Sequence, residues 1–188
     1  MPTLTTRSRY EIVGQHATAG TFLDAGARDR RLMTYLPPGC TYTSADIVPG
    51  HDYTWNLEHH IPAPDASFHM VAALDVLEHL DHLHGALREL LRITRRTLFI
   101  SLPNEATVIH RLTFLLHGTI GGNHHLAPNI DRHRWLVTYH HAAALMRTIH
   151  HLNIQYDICT PHNYFLAHHH LLPPHLTAHT LLFVITKD

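Results

Sequence analysis

Residues 56–80 read NLEHHIPAPDASFHMVAALDVLEHL, and this stretch decides the fold. Pro62, Pro64 and Asp65 supply loop chemistry at its start. His69 to Leu74 is then a continuous apolar run rather than an alternating one, which predicts a strand covered on both faces, as in a parallel sheet. The run stops at Asp75. Asp81 can cap a helix over 82–95, whose Leu83, Leu87, Leu90 and Leu91 fall on one face. Thr97 to Leu102 follows as another apolar run closed by Pro103-Asn104. Strand, helix, strand in that order is a βαβ unit.

The same alternation continues in both directions. Toward the N-terminus, Thr21 to Ala25 reads as a strand running into Asp24 and Gly26. Arg28 to Leu36 reads as a short helix stopped by Pro37-Pro38-Gly39, and 41–47 as a strand ending at Asp46. A weaker strand fits 53–57. Toward the C-terminus, Val108, Ile109, Leu112, Leu115 and Leu116 mark a helical face, and 119–137 reads as loop with Gly121-Gly122 and Pro128. Ala142, Leu145, Met146, Ile149 and Leu152 mark another helical face. Ile154 to Cys159 and Leu181 to Thr186 are two last strands. The expectation is one α/β domain over 1–188, with any ligand beyond the C-terminal ends of the strands where their order reverses.

Composition narrows the function. Lys+Arg is 14 and Asp+Glu 15, and the isoelectric point is near 7.1, so the basic field of a nucleic-acid binder is missing. Cys40 and Cys159 make no disulfide framework, which fits a reducing, cytoplasmic setting. No apolar run approaches the length of a membrane span, and MPTLTTRSRYEIVG lacks a signal-peptide core, so no membrane association is expected. Histidine is the anomaly, at 23 of 188 residues. It is scattered singly and in adjacent pairs or runs such as His59-His60, His140-His141 and His168 to His170, and neighbours point apart on strand and helix alike. The expectation is therefore no dedicated metal site, with histidine standing on the surface where charged residues usually stand.

Two acidic strand ends carry the first functional signal. A glycine turn at Gly26 after the first strand lets a ligand approach backbone N–H groups. Asp46 ends the next strand 20 residues later, the spacing of a ribose-binding carboxylate.

The quoted stretch, followed by LRELLRITRRTLFISLPN at 87–104, resembles the class I S-adenosylmethionine-dependent methyltransferases of the type 11 group. The SLPN to RLTFLLHG segment is similar to the MetW-like subgroup. With FLDAGARDRRL and YTSADIVPG the resemblance spans roughly 21–160. It implies a Rossmann-like doubly wound sheet of about seven strands, mostly parallel with the last antiparallel. It implies S-adenosylmethionine as cofactor, held by Asp24 and Gly26 at its methionine part, Asp46 at the ribose, and Asn56 and Leu57 at the adenine. Asp75 would lie beside the reactive end, and His79, from the family's Glu-His pair, next to the methyl group as the first candidate for a general base. His110 and His133 are secondary candidates.

The segment 103–139 would cover the substrate, with Asn104, Arg132, Arg134 and Trp135 as contacts around Asp131 and Tyr139. The acceptor would be a small molecule or a group presented by a protein partner, and a homodimer is also compatible. The chain departs from the family where its G-x-G-x-G motif reads Gly26-Ala27-Arg28-Asp29-Arg30, and where Asn56 and His69 replace aspartates. Arginine in place of a left-handed glycine is costly. The alternative reading is accordingly a non-catalytic partner or regulator on the same fold.

Overall fold

The computed structural model describes residues 3–120, 124, 132–149, 152–159 and 172–187. Asp131, Gly121-Gly122, Pro128, His150-His151 and the run His168 to His170 lie outside them. Eight strands form one sheet: β1 (Thr3–Thr5), β2 (Gly20–Ala25), β3 (Cys40–Asp46), β4 (Tyr53–Thr54), β5 (Phe68–Leu74), β6 (Thr94–Pro103), β7 (Asn153–Cys159) and β8 (Thr180–Thr186). Their spatial order is β1-β7-β8-β6-β5-β2-β3-β4. Every pairing is parallel except the two that β8 makes, with β6 (Thr97 opposite Thr186) and with β7 (Asn153 opposite Thr186). The expected antiparallel last strand is therefore present. The eighth strand is β1, which adds to the β7 edge and was not expected from the sequence.

Successive residues of each central strand serve opposite layers, which is why those strands read as unbroken apolar runs. Leu23, Val71, Leu98 and Ile100 point to the layer containing α2 (Leu83–Ile93) and α4 (Tyr139–Arg147), where Leu87, Leu90 and Met146 meet them. Phe22, Met70 and Phe99 point the other way, to Ile12 and Val13 of α1 (Arg9–His16) and to Leu32. The Phe22 and Phe99 rings stack at 6.0 Å. Each such fully buried side chain contributes about 1.5–3 kcal/mol through burial.

Several boundaries differ from the sequence reading. The expected helix at 28–36 is a one-turn 3-10 segment at Arg31–Tyr35. The turn before it uses up Arg28 and Arg30 in left-handed conformations, so no α-helix can start there. Helix α2 starts at Leu83 after His82, with no side-chain cap, and the Asp81 carboxylate faces Arg134 Nε at 3.4 Å rather than the helix start. Helix α3 (Val108–His117) buries none of its residues among those described, and Leu112, Leu115 and Leu116 are exposed. A short helix, α5 (Pro174–Thr177), precedes β8. No helix among the described residues is long and apolar enough to cross a membrane.

Candidate active site

β2 and β5 are neighbours, but the chain leaves β2 toward β3 on one side and β5 toward β6 on the other. Their C-terminal ends therefore splay apart and open a polar cleft of about 430 Å3. It is lined by Asp24, Gly26, Ala27, Arg28 and Asp29 after β2, by Leu74, Asp75 and His79 after β5, by Arg9 and Tyr10 from α1, and by His133.

The loop after β2 is built on positive backbone angles. Gly26 has φ +81°, and a Cβ there would run into the Val76 side chain, so this glycine is demanded twice. Its N–H donates to the Ala45 carbonyl at 2.7 Å. Arg28 (φ +43°) and Arg30 (φ +56°) occupy left-handed positions, which favour glycine. Each stores roughly 1–2 kcal/mol of backbone strain. Two contacts offset it: the Arg28 N–H donates to Asp46 Oδ2 at 2.9 Å, and the Arg30 guanidinium donates to the Gly50 carbonyl. The arginines thus preserve the turn that glycine would make.

Asp24 is 4% exposed, and burial pushes its carboxyl up to about 6 against the opposing hydrogen bond from the Tyr42 hydroxyl at 2.8 Å. Asp75 sits at φ +53° and is gripped from two sides. Its N–H and Oδ1 exchange hydrogen bonds with Ser101 Oγ at 2.9 and 2.5 Å, and Arg9 Nη2 reaches its Oδ2 at 2.9 Å.

At the far end of the cleft the structure gathers residues that are remote in sequence. His79 Nδ1 lies 3.3 Å from the Arg132 carbonyl oxygen. The His79 and His133 rings meet edge to face at 4.8 Å. Glu105 Oε1 takes His133 Nδ1 at 2.6 Å and His124 Nε2 at 2.7 Å, while its Oε2 accepts the Val137 N–H at 2.9 Å. Burial pushes the Glu105 carboxyl up, but these hydrogen bonds outweigh it and hold the group below the usual carboxylate range. Glu78 is fully buried, and neither of its oxygens has a hydrogen-bond partner among the described residues. Burial, then the nearby Asp75 charge, pushes its carboxyl far above the usual range.

Of the residues singled out from sequence, Asp24, Gly26, Asp75 and His79 share this cleft, and His133 joins them. Asp46 stands behind the loop, accepting from Arg28 and from the Val48 N–H at 3.1 Å. Asn56 is exposed and caps its own turn through the Glu58 N–H, while Leu57 is buried in the core. Asn104 is buried and spends its amide on the fold. It donates to the His175 and Ala178 carbonyls and accepts from the Ala106 and Tyr139 N–H groups. Arg132 and Arg134 are exposed, with Arg134 Nε 3.4 Å from Asp81. Trp135 donates to the Leu80 carbonyl at 2.6 Å and borders a separate apolar cavity of about 340 Å3 with Leu83, Leu102 and Leu145. His110 lies on α3, outside the cleft lining.

The sequence reading missed Arg9 and Tyr10. The signal for their helix was present as a Ser8…Glu11 capping box, which the structure forms in full. It also missed Glu78, Glu105 and His124, since pairing them with His79 and His133 needs the tertiary fold.

A profile described as a methyltransferase domain matches residues 4–169. The chain belongs to the methyltransferase-domain family. Among solved structures, an S-adenosylmethionine-dependent methyltransferase from Thermotoga maritima superposes with a TM-score of 0.64 at 14% identity, covering 96% of this chain and 88% of that one. A Haloferax volcanii methyltransferase, solved in complex with the activator Trm112, gives 0.62 at 16% identity, with 96% and 87% covered. The 1,6-didemethyltoxoflavin-N1-methyltransferase of Burkholderia thailandensis, solved with its substrate and S-adenosylhomocysteine, gives 0.60 at 19% identity, with 97% and 78% covered. No curated protein sequence matches. At these identities the structural matches establish the shared fold, and none of them singles out the MetW-like subgroup.

Proposed function

We propose that this methyltransferase-domain protein binds S-adenosylmethionine in the cleft at the ends of β2 and β5 and transfers its methyl group to a small-molecule or protein-presented acceptor by in-line displacement. The observation that carries the reading is the convergence of Asp24, Gly26, Asp75 and His79 on one polar cleft at the switch point of a methyltransferase sheet. In this reading Asp24 faces the ammonium group of the cofactor. Gly26 lets its methionine part approach the backbone. Asp46, already fixed by Arg28, accepts from the ribose, and Asn56 and Leu57 flank the adenine. The sulfonium is already activated, so the protein's task is chiefly to hold the acceptor in line at near-attack distance. His79, with His133 beside it, takes the acceptor's proton where one must leave. Arg132, Arg134 and Trp135 border the route by which an acceptor enters.

Titration calorimetry with S-adenosylmethionine and with S-adenosylhomocysteine tests this. Saturable one-to-one binding, weakened at least tenfold in D24N, is expected. No heat at millimolar ligand would overturn the reading. It would favour a non-catalytic partner protein, the alternative that the two left-handed arginines raise.

A further inference from the structure

We propose that Glu78, His79 and His133 form a site for one divalent first-row transition ion of the zinc class at the inner end of the cleft. One ligand atom from each of the three lies within 4.8 Å of the others. Glu78 is the first argument. It comes from the 3-10 turn Leu77–His79, is fully buried, and has no partner for either oxygen among the described residues. Buried carboxyls are nearly always paired or bound to a metal. Protonation does not resolve the problem, because an O–H in this place still lacks an acceptor. A cation between Glu78 and the two rings does.

The tautomers are the second argument. A carbonyl oxygen only accepts, so the contact of His79 Nδ1 with the Arg132 carbonyl at 3.3 Å puts the proton on that nitrogen. Glu105 Oε2 accepts the Val137 N–H and its Oε1 faces two ring nitrogens, so the carboxylate accepts here too and His133 Nδ1 carries the proton in their 2.6 Å contact. In each neutral ring this leaves Nε2 as the unprotonated nitrogen, the form that ligates a metal. The His133–Glu105 pair is the carboxylate–histidine support that orients metal-bound histidines.

A second grouping, Glu105 with His124 and His133, is equally compact. Glu105, however, has both oxygens engaged by His133, His124 and the Val137 N–H. It supports the ligands rather than supplying one. Two imidazoles and one carboxylate suit Zn2+, Co2+ or Mn2+ over Mg2+ and Ca2+, which take all-oxygen shells. Three protein ligands leave a position open, and His79 and His133 both line the cleft, so the open position faces the acceptor end. With the ion in place, His79 Nε2 is a ligand, and His79 serves as a base only in the metal-free protein. The site does not depend on methyl transfer, and its test needs no cofactor.

The purified, chelator-treated protein is titrated with Zn2+ by calorimetry and with Co2+ by visible absorption, and its melting temperature is followed with Zn2+, Co2+ and Mg2+. A first equivalent of Zn2+ or Co2+ should bind tightly, give Co2+ d–d bands and raise the melting temperature, while Mg2+ does none of this at the same concentration. E78Q keeps the size and shape of the buried side chain and removes its carboxylate. It should melt as the wild type does without metal yet lose at least tenfold in first-site affinity. H133N should lose the site, and E105Q should weaken it 10–100-fold. H141A, which alters an exposed ring, should change nothing in that first equivalent. Absence of a tight first equivalent would overturn the proposal. Binding that E78Q and H133N leave undiminished would also overturn it, since surface histidines alone would then account for the metal.

Discussion

Asp24 carries a conflict that a purely structural residue would not keep. Its carboxylate is buried, only the Tyr42 hydroxyl donates to it among the described residues, and burial raises its pKa to about 6. Because the folded value lies above the unfolded one, the folded state holds the extra proton between about pH 4 and 6. Stability therefore falls as pH rises through that window, and the cost of the buried charge remains above it. D24N removes the charge and keeps an acceptor for Tyr42. It should raise the urea midpoint at pH 7–8, and the gain should vanish by about pH 4, while cofactor affinity drops. A variant that is both more stable and less able to bind is the mark of a residue kept for function. If D24N is destabilised at pH 8, the burial argument fails.

At the scale of elements, the βαβ pattern was legible because the central strands are covered on both faces. Leu23, Val71 and Leu98 face one layer, and Phe22, Met70 and Phe99 the other, so the runs read as continuous hydrophobicity. Helix α1 was not legible from periodicity, since it buries only Ile12 and Val13, and three-residue β1 is too short to carry a pattern. The loop between β4 and β5 was seen as a loop, but the clamp that fixes it was not. Glu89 on α2 accepts from the Ile61 N–H at 2.9 Å and from Arg92 at 2.8 and 3.0 Å, and Arg92 reaches on to the Ile61 and Ala63 carbonyls and Asp65.

The Arg92 hydrogen bonds lead the causes that hold the Glu89 carboxyl down at about 2. A folded pKa below the unfolded one contributes stability above about pH 4.5 that is lost as pH falls toward 2. E89Q should cost about 1.5–3 kcal/mol at pH 7, the range for hydrogen bonds to charged groups. The gap to wild type should narrow in denaturation curves taken at pH 3. A constant gap across pH would show that packing, not charge, holds the clamp.

For the whole molecule, the histidines among the described residues include two distinct populations. Rings such as His16, His59, His60, His84, His140 and His141 are exposed, as the scarcity of other charges led one to expect. His79, His124 and His133 instead converge at one end of the cleft, and no sequence spacing joins them, because His79 follows β5 while the other two follow β6. With 23 histidines against 14 Lys+Arg and 15 Asp+Glu, the net charge should swing from about −1 to strongly positive on acidification. Electrophoretic mobility between pH 8 and pH 5 should reverse sign with a slope far steeper than that of a histidine-poor protein of this size. A shallow slope would mean that the exposed rings do not titrate freely.

The order of the sheet also sets a timetable for the ribosome. Strand β8 is synthesised after all the others, yet it lies between β6 and β7 and hydrogen-bonds to both. Until residues 180–186 emerge, the nascent chain presents two open strand edges, and Thr3–Thr5 has only the outlying β7 to pair with. Completion of the sheet thus waits on the last of its strands. Such unpaired edges are what chaperones shield from intermolecular pairing.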